Sequence, residues 1–94
     1  KLKILTINKK FIDNYKKSTN LIGSFQIRNL CMSILAANIS GVSMKKINYV
    51  LKRINSVNGR LELIRELPNN SKVFVDYAHT PDALLTILKS VKNY

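Results

Sequence analysis

The densest cluster of position-specific residues lies at 73–88, VFVDYAHTPDALLTIL. Asp76 stands where a short apolar run ends. In open α/β sheets ligands bind beyond the carboxyl ends of strands. A carboxylate there accepts two hydrogen bonds in a fork, which suits the vicinal hydroxyls of a ribose or a paired cation. It suits a cap on the following turn equally well, and position leaves both open. His79 is a lone loop histidine with no serine, cysteine or second histidine in range to complete a relay. Thr80, Pro81 and Asp82 read as a helix start: a hydroxyl cap, a proline at the first helical position and an acid on the positive dipole end. Two more residues could meet a ligand. Arg60, after Gly59, could grip phosphate with paired N–H groups. The amide of Asn29 matches the donor–acceptor edge of adenine. Each also reads as an ordinary polar surface residue.

The elements that must position these residues follow from periodicity. Leu2, Ile4 and Ile7 suggest a strand over 2–7, Asn8-Lys9-Lys10 a turn, and Phe11, Ile12 and Tyr15 a second short strand, together an edge hairpin. Residues 20–25 (NLIGSF) read as a strand in which Gly23 marks a bulge or a close backbone approach. Ile27, Leu30, Cys31, Ile34 and Leu35 recur at helical spacing up to Ser40-Gly41. Ser43 caps a second helix with apolar face Met44, Ile47, Val50, Leu51 and Ile54, and the pair forms an αα-hairpin. Turn formers gather at 55–59 (NSVNG), where a domain boundary is expected. A strand follows over 61–67, then a turn at 68–71 and a second strand over 73–75. That strand's unbroken apolar run predicts burial on both faces of a parallel sheet. The closing helix is expected to bury Leu84, Leu85, Leu88 and Val91.

Ninety-four residues suffice for one small domain at most. Both ends, an opening Lys-Leu-Lys and a helical run stopping at Tyr94, read as cuts within something longer. The net charge is +11. Residues 1–56 hold eleven Lys and Arg against Asp13, while 57–94 hold five against four acids. A basic half suits polyanion binding, but the lysines are scattered in pairs and no aromatics interleave with them. Neither nucleic acid nor a membrane is therefore expected as a partner. A single cysteine excludes a disulfide framework and fits a reducing compartment, so the expected localisation is cytoplasmic. No apolar run reaches the roughly 18–20 residues of a membrane span. There is no G-x-x-x-x-G-K-[ST] loop, no G-x-G-x-x-G and no metal-ligand spacing. The expected catalytic and metal-binding sets are empty.

Residues 57–62 (VNGRLE) followed by 73–84 (VFVDYAHTPDAL) resemble the start of the C-terminal domain of the Mur ligases. The DYAHTPDAL wording is closest to the MurE type, ligases that add the third amino acid to UDP-N-acetylmuramoyl-dipeptide. Residues 21–37 (LIGSFQIRNLCMSILAA) resemble the end of the central ATPase domain, patterned G-x-F-N-x-x-N. Gln26 replaces the first Asn of that pattern and Asn29 keeps the second. Asn58 stands where the family often has proline. Similarity is continuous from about 21 to 88, and residues 1–20 share only strand character.

The resemblance implies an α/β chain. Residues 1–56 would end a central ATP-binding domain (short strands plus an αα-hairpin), and 57–94 would open a Rossmann-like C-terminal ligase domain with a β-β-α unit. It implies an ATP-dependent acid–amino-acid ligase of peptidoglycan synthesis, with ATP and Mg2+ as cofactors and the metal ligands outside these residues. ATP would activate the D-glutamyl carboxylate of UDP-MurNAc-L-Ala-D-Glu as an acyl phosphate, and the amine of an incoming diamino acid would attack its acyl carbon and displace phosphate. UDP-MurNAc-dipeptide and the amino acid would be partners through other parts of such an enzyme. Carried over, Asn29 meets adenine, Arg60 the nucleotide and Asp76 the ribose neighbourhood, while Tyr77 and His79 shape the pocket. Alternatives are a cyanophycin synthetase or folylpolyglutamate synthase-like ligase, or a basic nucleic-acid-binding module.

Overall fold

The computed structural model describes residues 4–92 and 94. Among them the chain forms four helices and one two-stranded antiparallel sheet, in the order α1 (Lys9–Lys16), α2 (Ser24–Ile39), α3 (Met44–Leu51), β1 (Glu62–Glu66), β2 (Lys72–Val75) and α4 (Pro81–Val91).

The first element departs from expectation. Phe11, Ile12 and Tyr15 do not form a strand but share one face of α1, since spacings of one and four residues suit a helix as well as a short extended run. Asn8, expected in a turn, is the N-cap, its side chain accepting from the Phe11 N–H at 2.9 Å. The Phe11 and Tyr15 rings lie 5.0 Å apart, tilted by 57°, and pack against the core. Residues 4–7 carry no regular structure, and the rest of the expected first strand, residues 2 and 3, lies outside the described residues. Among the described residues no edge hairpin forms. Residues 20–25 are not a strand either: 20–22 are irregular and Gly23 opens α2 at φ +92°. The close approach expected of Gly23 is present, since a Cβ there would lie 2.9 Å from Leu61 Cδ2.

α2 and α3 follow the sequence closely. α2 ends in a Schellman arrangement: Val42 N–H donates to Ala37 O, Gly41 N–H donates to Asn38 O, and Gly41 sits at φ +97°. The Ser43 hydroxyl accepts from Lys46 N–H and starts α3. Leu30 and Ile34 from α2 interlock with Ile47 and Leu51 from α3, with Leu21, Ala37, Met44 and Ile54 at the margin. Val50, expected on that face, points outward at 43 % exposure. Cys31 is buried, and burial raises its thiol pKa above the usual range.

Beyond residue 61 the chain makes a hairpin and a helix. Glu62 pairs with Val75, Leu63 with Phe74, Arg65 with Val73 and Glu66 with Lys72, and the register shifts between Leu63 and Arg65. The predicted turn closes it: Leu67 N–H donates to Ser71 O, and Asn70 takes φ +63°. β2 is thus not a strand buried on both faces of a parallel sheet. A connection this short permits only antiparallel pairing, and Val73 and Val75 are exposed. α4 starts as expected, with Thr80 Oγ1 accepting from Ala83 N–H and Pro81 in the first turn. Its leucines do not behave as expected. Leu84, Leu85 and Leu88 are all exposed, because no described element covers that face, and Val91 is half-buried.

The packing predicts contrasting costs for neighbouring residues. Leu51, 3 % exposed, should lose about 2–5 kcal/mol on Leu51→Ala, while Val50→Ala should stay below about 1 kcal/mol; urea midpoints of the two variants check this. Cys31 should resist alkylation at neutral pH in the native chain and react fully in denaturant. Its raised pKa lowers the thiolate fraction, and mass spectrometry of the labelled protein gives the readout.

Candidate functional site

The site is an elbow between the turn that precedes β1 and the segment that joins β2 to α4. Arg60 N–H donates to Val57 O at 2.9 Å, closing a turn whose third residue, Gly59, takes φ +71°. Asn58 is not among the left-handed residues, so the turn is of type II. Proline suits its second position, which gives Asn58 a physical setting. Glu62 Oε2 accepts from the Gly59 N–H at 2.9 Å, and Gly59 O accepts from the Tyr77 N–H at 2.9 Å. The next residue is unusual. Leu61 takes φ +44°, a left-handed backbone rare for leucine, while its side chain is 1 % exposed.

Asp76 faces this turn. Its Oδ2 accepts from the Leu61 N–H at 2.8 Å and its Oδ1 from the Ala78 N–H at 2.7 Å. The forked carboxylate of the sequence reading therefore grips backbone on both prongs. One prong caps the following turn; the other reaches 15 residues back along the chain. Tyr77 is 66 % exposed. The Arg60 guanidinium carbon lies 5.7 Å from its ring centroid, a cation–π contact. The ring also rests against Gly59, where an added Cβ would come within 2.6 Å of Tyr77 Cε2. His79 Nδ1 lies 2.8 Å from Tyr77 O. A carbonyl only accepts, so Nδ1 carries the proton and Nε2 is left for another partner.

The structure thus gathers Arg60, Asp76, Tyr77 and His79 at one elbow. Asn29 takes no part in that network: it is exposed on α2, and its carbonyl accepts from Ser33 Oγ. Gln26 is buried and donates from Nε2 to Ile22 O at 2.7 Å, so its amide nitrogen serves the start of α2. Leu61 and Glu62 had no role assigned from sequence, and only Glu62 carried a signal, a carboxylate three residues beyond a turn glycine. A cleft of about 830 Å³ lies elsewhere, between α1, the start of α2 and the end of α4, with Lys16, Ser24 and Lys89 on its walls and none of the five candidate residues. Among the described residues there is no group of three His, Cys, Asp or Glu side chains that could hold a metal ion. No helix among them is long and apolar enough to cross a membrane.

Comparison with known proteins finds ligases similar to most of this chain. The chain is homologous to Mur-type ligases over most of its length. Within that class the relatives are of the MurE type. One from Rickettsia felis, named UDP-N-acetylmuramoyl-L-alanyl-D-glutamate--2,6-diaminopimelate ligase, is 43 % identical over 95 residues, covering 98 % of this chain and 17 % of the relative. Ligases of the same name from Leptospira interrogans and Rhizobium meliloti are 40 % identical over 78 residues and 37 % over 82, covering 83 % and 87 % of this chain and 15 % and 17 % of the relatives. The chain therefore spans about one-sixth of the length of the curated relatives it matches. No family model matches it, and no solved structure does.

Gly59 gives a direct check on the elbow. Gly59→Ala should destabilise the hairpin by about 1–3 kcal/mol, through the left-handed backbone and the clash with Tyr77. It should also shift the Tyr77 ring resonances in NMR spectra while leaving those of Ile34 and Ile47 in place.

Proposed function

We propose that this chain forms one wall of the nucleotide cleft of an ATP-dependent ligase of peptidoglycan synthesis. Residues 1–56 correspond to the end of the central ATP-binding domain, and 57–94 to the start of the C-terminal domain. The observation that carries this reading is the convergence of Arg60, Tyr77 and His79 on one hydrogen-bonded elbow. The elbow presents a permanent cation, an exposed aromatic face and a free imidazole nitrogen, a set that fits a nucleotide. The guanidinium offers paired N–H groups to phosphate oxygens. The Tyr77 ring offers a stacking surface, and His79 Nε2 a hydrogen-bonding position. Asp76 occupies the ribose neighbourhood between them, and Asn29 on α2 supplies an amide for the adenine edge.

ATP supplies the phosphoryl group that activates a carboxylate for attack by an amine. What this chain contributes is binding and orientation of the nucleotide. The substrates proposed for such a ligase are UDP-MurNAc-L-Ala-D-Glu and a diamino acid, and the names of the relatives favour diaminopimelate. The Mg2+ that accompanies ATP would be held by residues outside this chain.

Two measurements test the reading. Titration of the labelled chain with ATP should move the Arg60, Tyr77 and His79 resonances first, and Arg60→Ala should weaken binding about tenfold or more. Perturbations confined to the lysines of α1 and α3 would instead indicate unspecific charge attraction and sink the proposal. Residues 1–94 alone should release no phosphate from ATP in the presence of UDP-MurNAc-dipeptide and diaminopimelate, because no phosphate loop is present in them. Detectable ligation would overturn the assignment of the chain to one wall only.

A further inference from the structure

We propose that Asp76 is a positioning residue: its carboxylate fork holds Arg60 and Tyr77 in their stacked arrangement by fixing the peptide unit that follows each of them. The Leu61 N–H belongs to the same planar unit as the Arg60 carbonyl. By accepting from it at 2.8 Å, Asp76 Oδ2 sets the backbone rotation on the carboxyl side of Arg60. The Ala78 N–H belongs to the unit carrying the Tyr77 carbonyl, and Asp76 Oδ1 accepts from it at 2.7 Å. That same carbonyl receives the His79 ring proton, so the fork also orients the imidazole. One carboxylate thereby acts on three side chains through the peptide units beside them.

Two features show why a strong acceptor is needed here. Leu61 is held at φ +44°, and without a partner for its N–H it would relax toward ordinary extended backbone, turning the Arg60 peptide with it. On the other flank of Arg60, both polar backbone groups of Gly59 are already engaged, by Glu62 and by Tyr77 N–H. The freedom left to Arg60 lies at its carboxyl side, where Asp76 acts.

The inference deepens the nucleotide-wall reading and rests on it for the ligand, but the positioning is a property of this chain and can be measured without nucleotide. In the labelled chain, Asp76→Ala should speed amide exchange at Leu61 and Ala78 by roughly ten- to a hundredfold. It should also abolish the nuclear Overhauser contact between the Arg60 side chain and the Tyr77 ring, with the Leu30 and Ile34 resonances unchanged. Asp76→Asn, with one acceptor oxygen, should keep only one of the two amides protected. Should Asp76→Ala not fold, a synthetic chain with an ester in place of the Leu61 N–H decides the matter, because it removes the donor and leaves Asp76 intact. Loss of the Arg60–Tyr77 contact there supports positioning, and its persistence in either variant overturns it. ATP titration separates the two readings. If Asp76→Ala loses affinity while the contact persists, Asp76 is a direct ligand and not a positioning residue. If the native chain binds no ATP, the nucleotide reading falls while the contact still decides the role of Asp76.

Discussion

Leu61 is the residue on which the rest of the structure hangs. A leucine at φ +44° carries strain on the order of 1–3 kcal/mol and persists only where its surroundings over-determine it. Two interactions do so. Full burial of a leucine side chain stabilises by about 1.5–3 kcal/mol, and a backbone N–H donated to a carboxylate adds about 1.5–3 kcal/mol. Each is only comparable to the strain, and it takes both together to exceed it. They also pull in different directions along the chain. The side chain packs back against Gly23 at the start of α2, and the N–H reaches forward to Asp76 at the end of β2. Gly23 answers with a backbone at φ +92° and no Cβ to block the approach.

That double attachment matters because the elements beyond residue 61 have little else to hold them. The buried cluster of Leu30, Ile34, Ile47 and Leu51 belongs wholly to α2 and α3. A two-stranded hairpin is marginal in water by itself, and here Val73 and Val75 are exposed. The leucines of α4 add nothing to that core. The Leu61 side chain ties the hairpin back to Gly23, and the Asp76 fork and the Tyr77 N–H to Gly59 O bond join its two ends to each other. Stability in this chain is concentrated before residue 55, and the candidate site lies in the part held by a few directed bonds.

What the sequence revealed and concealed divides along the same line. Caps and stops depend on local chemistry, so Ser43, Gly41 and Thr80-Pro81 were readable one residue at a time, and the helices they bound appear where expected. The hairpin turn at 68–71 was readable for the same reason. Whether an apolar run faces a core depends on distant elements. Phe11, Ile12 and Tyr15 suited a short strand as well as one face of a helix. Val73–Val75 and Leu84–Leu88 have the composition of buried segments without described neighbours to bury them. At the site, Arg60 and Asp76 were visible by residue type and position, but their connection was not. Nothing in the order NGRLE shows that Leu61 turns left-handed or that its N–H points at a carboxylate 15 residues away.

The elbow also explains why the two segments that carried the family resemblance belong together. Residues 57–62 supply a type II turn, a capping glutamate and a left-handed leucine. Residues 73–84 supply the strand, the forked aspartate and the helix start. Neither is complete alone, since Gly59 has its carbonyl engaged by Tyr77 and Leu61 its N–H by Asp76. They are two halves of one hydrogen-bonded unit interrupted by a hairpin loop. Most of the residues in that unit are occupied with backbone. Arg60, Tyr77 and His79 Nε2 remain turned outward. A site built this way keeps its ligand-facing groups few and fixes them through the peptide units beside them, so their geometry is as rigid as the backbone bonds that hold it.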